Sequence, residues 1–139
     1  VVFTSHGGNL PALTNWPGRR RPQVRVLDDP RPVVGAIRQA LSGFGAAGPA
    51  GRHADLGETA AMLATRPELV RMERVTAGFQ GEVGLGELLA NGTRALSPSG
   101  VFGDPTSATA EMGAAVLAAW TQCLLDSLHP GASDGPPLA

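Results

Sequence analysis

Near the C-terminus Met112, Val116 and Trp120 stand four residues apart, with Cys123 and Leu124 three and four beyond Trp120, and no other feature constrains the fold as much. That spacing turns one side of a helix toward a core. Asp104 followed by Pro105 has the residue types of an N-cap and a first helical position. The pattern therefore predicts a long helix from Pro105 to Leu128, with His129 at its end near the free carbonyls. A helix with one apolar face needs a partner layer, and the upstream sequence offers candidates. Val1–Phe3 is a short apolar run, and Val24–Leu27 alternates like a strand. Asp29-Pro30-Arg31-Pro32 opens a helix that carries Val33, Ile37, Leu41 and Phe44 on one face and ends near Gly43. Helical spacing returns over Gly57–Thr65, stops before Pro67, and continues as a turn over Pro67–Met72 and another at Glu87–Ala90. Strand–helix alternation of this kind predicts an α/β layered fold.

A chain of 139 residues is normally one domain. The expected domain covers residues 1–128, with 129–139 as a disordered tail and Gly45–Gly51 as a small-residue linker. A formal charge of −1 supplies no basic field for nucleic acid or an anionic membrane surface. No apolar stretch is long enough to span a bilayer. The one cysteine, Cys123, excludes an intramolecular disulfide and a Cys-based zinc cluster, and fits a cytoplasmic setting. It lies on the helix stripe and reads as an inert core thiol. Val1-Val2-Phe3 reads as a buried strand already under way, so further residues are expected upstream.

Two clusters could carry chemistry. In the first, the strand Val1–Phe3 delivers His6-Gly7-Gly8-Asn9 at its carboxyl end, where ligands collect in α/β sheets. The glycines let a ligand approach the backbone, whereas the plain alternative is a tight turn. Asn9 can cap a helix starting near Leu10, which Trp16-Pro17-Gly18 cuts short. In the second, His53 and Glu58 flank the start of the helix at Gly57–Thr65, an imidazole and a carboxylate suited to metal ligation or proton transfer. The alternative is equally physical, with Glu58 serving the helix dipole and His53 a loop residue. The remaining features are weaker. Arg19-Arg20-Arg21 reads as a solvated loop, and Gly84-Leu85-Gly86 lacks the strand–turn–helix setting of a dinucleotide loop. Ser5 and His6 point to opposite faces of a strand, so they do not form a nucleophile–base pair.

Three segments, in order, resemble the creatininase family. Val-Val-Phe-Thr-Ser-His-Gly-Gly-Asn is similar to its strand and His-Gly-Gly-Asn motif. His53-Ala-Asp-Leu-Gly-Glu-Thr is similar to its His-Ala-Gly-x-x-Glu-Thr helix start, with Arg66-Pro67-Glu68-Leu69-Val70 continuing it. Gly103-Asp104-Pro105-Thr106 resembles its closing turn, and with the preceding Leu96-Ser-Pro it leans toward the mycofactocin-type peptidases. The resemblance implies a three-layer α/β/α fold, a ring-like homo-oligomer, and a metal-dependent amidohydrolase acting on a small cyclic amide or a peptide. It also implies two divalent cations, zinc, manganese or iron, that activate a water. Carried over by position, His6 and Glu58 are metal ligands, and His53 stabilises the oxyanion or protonates the leaving nitrogen. Gly7, Gly8 and Asn9 line the substrate.

The chain departs from the family in three places. Creatininase itself has a glutamate where this chain has Gly8, which disfavours creatinine as substrate. The shortened segment at Trp16-Pro17-Gly18 replaces a fuller helix. The family's first metal motif, Glu-x-His-Gly followed by a bridging aspartate, precedes the strand with which this sequence opens. One histidine and one carboxylate are too few for a catalytic pair of cations, so the 139 residues alone are expected to be inactive. The competing reading is a non-catalytic relative or fragment serving as an oligomerising module.

Overall fold

The computed structural model describes residues 1–4, 6–46 and 52–129. Most of the linker expected at Gly45–Gly51, the tail from residue 130 onward, and Ser5 therefore lie outside the described residues.

Strand β1 (Val2–Phe3) pairs in parallel with β2 (Val26–Leu27), Val2 opposite Val26 and Phe3 opposite Leu27. Parallel neighbours need a crossover connection. Here it is the short helix α1 (Leu10–Asn15) and a 3₁₀ turn at Pro17–Arg20. Trp16 ends α1 as expected, and its ring lies so close over Gly18 that a Cβ there would overlap it. Arg19 is more than a solvated loop residue. It donates to the carbonyls of Leu13 and Thr14 and pairs with Asp28 at 3.0 Å, bracing the crossover against the end of β2.

Three helices make the core. Helix α2 (Arg31–Ser42) begins where Asp29 accepts from the Arg31 N–H, and ends at Gly43. It buries Ile37 and Leu41, while Phe44, expected on the same face, lies past the helix end and is exposed. Helix α3 (Leu56–Thr65) is capped by Asp55. The 3₁₀ turns Pro67–Leu69 and Met72–Arg74 then carry the chain back alongside α3. Helix α4 (Leu85–Asn91) and the single turn α5 (Thr93–Leu96) meet at Gly92, whose φ of 76° favours glycine. Helix α6 (Ala110–Leu128) crosses both α2 and α3, and Val116 is fully buried against Ile37 and Leu41. Each such apolar side chain contributes about 1.5–3 kcal/mol on burial. Where α6 crosses α3, Gly113 lies on Ala60 so closely that a Cβ would overlap the Ala60 carbonyl.

The start of α6 differs from expectation. Asp104 does not cap it. Its carboxylate accepts from the N–H and hydroxyl of Thr106 at 3.0 and 2.6 Å, forming a turn over 104–108. The cap is Thr109, whose hydroxyl accepts from the Met112 N–H at 3.2 Å. At the other end His129 follows the helix as expected, its N–H donating to the Leu125 carbonyl at 3.1 Å, and the Arg25 guanidinium takes the Leu128 carbonyl, 3.0 Å away. Cys123 is half-buried on a groove between α2 and α6, and burial, followed by the Asp126 charge, pushes its thiol pKa up. The small parallel sheet together with α6 packed against both α2 and α3 is a helix-rich α/β arrangement. Among the described residues no helix is long and apolar enough to cross a membrane.

Candidate active site

The turn after β1 is organised by one hydroxyl. Thr4 Oγ1 donates to the His6 carbonyl and accepts from the His6 N–H (3.1 Å) and the Asn9 side-chain amide (3.0 Å). That uses its one proton and both lone pairs. The expected Asn9 cap is therefore not made: Asn9 is the first residue before α1, but its amide turns back to Thr4. With the turn so tied, the exposed His6 ring folds over Gly8, where a Cβ would stand 2.7 Å from Nε2. A glutamate at position 8 would displace this ring.

The second cluster rests on the N-terminus of α3. Asp55, only 2% exposed, accepts from the Glu58 N–H at 2.9 Å and the Arg52 N–H at 3.0 Å. One oxygen of Glu58 reaches back to the Ala54 N–H at 2.7 Å, which is the helix-end role that competes with metal ligation. Ala54 has a φ of 50°, a left-handed conformation strained for any residue with a side chain. The His53 carbonyl accepts from the Phe102 N–H at 2.8 Å, and its ring meets the Phe102 ring edge-on, centroids 6.4 Å apart. Phe102 is itself fixed from the other side by Phe79, whose N–H donates to Val101 while Gly103 donates back to Phe79. The Arg52 side chain donates to the Gly81 carbonyl at 2.6 Å, drawing the segment before α4 toward the same place.

These local arrangements converge on one cavity of about 280 Å³. His6, Gly7 and Gly8 line it from the β1 turn, and His53, Asp55 and Glu58 from the start of α3. Val33, Val34 and Ile37 of α2, Leu88 of α4, Phe102 and Trp120 form its apolar wall. Asn9 is not part of the lining. The indole N–H of Trp120 is buried without a hydrogen-bond partner among the described residues. Apolar walls with a few convergent polar groups are the usual makeup of a small-ligand site. Arg52, Asp55 and Trp120 were not singled out as site residues from sequence. Only Asp55 left a signal there, an acidic residue three before Glu58 at a helix start.

The donor set limits what these residues can hold by themselves. Both Asp55 oxygens and one Glu58 oxygen are already engaged by backbone N–H groups. Among the described residues no three His, Cys, Asp or Glu side chains are grouped to bind a cation. A catalytic zinc generally takes three protein ligands, and the described residues do not group that many.

Two histidines and two carboxylates therefore line one cavity beside the end of a parallel strand. The family model for creatinine amidohydrolase matches residues 1–128, and the chain belongs to the creatininase family. It is 36% identical over 127 residues to the mycofactocin precursor peptide peptidase of Mycobacterium ulcerans (strain Agy99), covering 85% of this chain and 43% of that protein. It is 35% identical over 121 residues to the protein of the same name from Mycobacterium tuberculosis (strain CDC 1551 / Oshkosh), covering 86% and 43%. The chain thus spans less than half the length of these relatives. No solved structure matches it.

Proposed function

We propose that this chain is the part of a metal-dependent peptidase that carries its proton donor and a portion of its metal ligands. The observation that carries the reading is the meeting on one cavity of His6 with His53 and Glu58, from segments far apart in sequence. The family supplies the reaction class, hydrolysis of a C–N bond, and the relatives' name supplies a peptide as substrate. A divalent cation in such enzymes lowers the pKa of water toward neutrality. Because no complete ligand set is grouped among the described residues, what can be derived is the work of those residues themselves. His6 offers an exposed imidazole held in direction by the Thr4 turn. Glu58 has one oxygen held by Ala54 N–H and a second for a cation or a water. His53 is oriented through its carbonyl and its edge-on contact with Phe102, a position from which it stabilises a developing oxyanion or protonates the leaving nitrogen. Gly7 and Gly8 let the peptide backbone lie against the turn, and the apolar wall excludes water from the reacting amide. The complete protein is proposed to have the three-layer α/β/α fold, to bind two cations and to form a homo-oligomer. The 139 residues alone are proposed to be inactive.

The test uses the protein as its gene encodes it, with whatever sequence lies on either side of this chain. Elemental analysis of wild type, His6→Ala and Glu58→Ala should show metal lost from both variants. Equal metal in all three removes the ligand assignment. His53→Ala should keep its metal and lose roughly 10²–10⁴-fold in kcat on a peptide substrate, the usual range for a general acid. An unchanged kcat removes His53 from the reaction.

A further inference from the structure

The stretch that leads into α4 borders the cavity with few ties to the rest of the fold. Among its neighbours α4 packs closely only on α5, and Gly86, Glu87, Leu89, Ala90 and Asn91 are exposed. Val83 and Leu88 are the exception: both are half-buried and line the cavity that also holds His53 and Glu58. Among the described residues no hydrogen bond joins 81–91 directly to α2, α3 or α6; the tie is Arg52. Its guanidinium donates to the Gly81 carbonyl at 2.6 Å and reaches the Glu82 carboxylate at 3.4 Å. The Arg52 side chain is 13% exposed and that of Glu82 98%, so water screens the ion pair and the carbonyl is the firm partner. Arg52 is held from behind as well, its N–H donating to Asp55, the buried cap of α3. One side chain thus relates the start of α3 to the position of Val83 and Leu88.

We propose that Arg52 is a positioning residue that latches the stretch Gly81–Leu88 beside the cavity, so that Val83 and Leu88 form the subsite for an apolar side chain flanking the cleaved bond. The proposal rests on the peptidase reading and adds which residues read the side chain and what holds them. A mostly buried guanidinium needs its acceptor, and with one firm acceptor on the main chain it fixes where that carbonyl sits. Without it, a stretch so sparsely tied moves as a local unit, and the cavity loses part of its apolar wall. His53 and Glu58 keep their places, because the Asp55 cap and Phe102 set them and the N–H of residue 52 survives any side-chain change. Contact with a substrate side chain is alike in ground and transition state, so the loss falls on binding rather than on the chemical step.

The test has two arms, both on the protein as its gene encodes it. In the first, hydrogen exchange is followed by mass spectrometry. Arg52→Gln should speed exchange over 83–91 roughly tenfold, the order of one charge-assisted hydrogen bond, and leave α3 and α6 unchanged. Arg52→Lys, which can still donate to Gly81, should stay near wild type, and Glu82→Gln should change exchange by no more than about twofold. Unchanged exchange in Arg52→Gln, an equal rise in α3 and α6, or an equal effect of Glu82→Gln overturns the latch. In the second arm, cleavage is measured on two peptides that differ only in leucine or alanine beside the cleaved bond, on each side in turn. Wild type should prefer leucine by roughly tenfold or more in kcat/KM on one side. Arg52→Gln and Leu88→Ala should each lose most of that preference through KM, with kcat little changed. No preference in wild type, or one that survives Leu88→Ala, overturns the subsite, and a fall in kcat at unchanged KM overturns the positioning role. The two readings fail separately. The expected exchange with no cleavage of any peptide removes the peptidase reading and keeps the latch, whereas cleavage with unchanged exchange removes the latch alone.

Discussion

Gly113 offers the sharpest test of how the site is held together. It sits where α6 crosses α3 with backbone against backbone, and a Cβ built there would overlap the carbonyl carbon and oxygen of Ala60 and stand 2.8 Å from the Ala64 Cβ. No flexible side-chain end can swing away, so Gly113→Ala must push the two helices apart. Overpacking of a close-packed interior typically costs about 1–3 kcal/mol, and contact with main chain belongs at the upper end. Alanine also returns about 1 kcal/mol of helix propensity, leaving a net destabilisation of roughly 2 kcal/mol. For a domain of this size that lowers Tm by roughly 6–10 °C. Gly35→Ala is the matched control: also inside a helix, it meets nothing within 4 Å. There only the propensity gain remains, and stability should rise by about 0.5–1 kcal/mol. Urea and thermal melts of the two variants should therefore move in opposite directions. A Gly113→Ala protein that melts at or above wild type would refute the crossing, and with it the position of Glu58 on α3 relative to Trp120 on α6.

Asp55→Ala removes a buried cap and leaves the Arg52 N–H without its acceptor, so it should destabilise by about 2–3 kcal/mol, read as a shift in urea midpoint; a loss under 0.5 kcal/mol would show that the cap is not formed. Acid should weaken the fold through two exposed carboxyls whose pKa values are depressed. The Arg31 guanidinium and N–H hold Asp29 down to about 2, and the Thr106 hydroxyl and N–H lower Asp104. A depressed folded-state pKa gives stability that is present above the unfolded value and lost as pH falls through the folded one. The acid limb of a stability–pH profile should therefore flatten between pH 3.8 and about 2 in Asp29→Asn; an unchanged limb would contradict the Arg31 contact.

The parts of the fold that were legible in sequence are those with local punctuation. Gly43 ends α2, Trp16-Pro17 ends α1 and Arg66-Pro67 ends α3, because proline and glycine act on the residues beside them whatever the rest of the chain does. The start of α6 was misread because two capping residues, Asp104 and Thr109, stand five apart, and only the Asp104–Thr106 hydrogen bonds decide between them. The polar half of the site was visible as motifs, His6-Gly7-Gly8 and His53 with Glu58. Its apolar half was visible only as core-forming periodicity. Val33, Ile37 and Trp120 share helix faces that pack together and also line the cavity, and which part of a face borders a void depends on contacts distant in sequence. Arg52 was invisible for the same reason, since its role depends on Gly81, twenty-nine residues away.

Ala54 joins the two roles of Glu58, and its strain connects stability to function. The family motif has glycine immediately after this alanine; here Asp55 occupies that position and caps α3. With Asp55 accepting from the Glu58 and Arg52 N–H groups, the Glu58 side chain is left with a single bond, from the Ala54 N–H, and lines a cavity. Ala54 keeps its left-handed conformation against a cost of about 1–2 kcal/mol. The bond from Glu58 and the cap at Asp55 hold it there, and the conformation sets the direction in which His53 leaves the helix. Ala54→Gly removes that strain but also enlarges the unfolded ensemble, so stability should change by no more than about 1 kcal/mol, in the stabilising direction. A melting temperature several degrees below wild type would mean that Ala54 is not strained, and that the turn between His53 and Glu58 has a different shape.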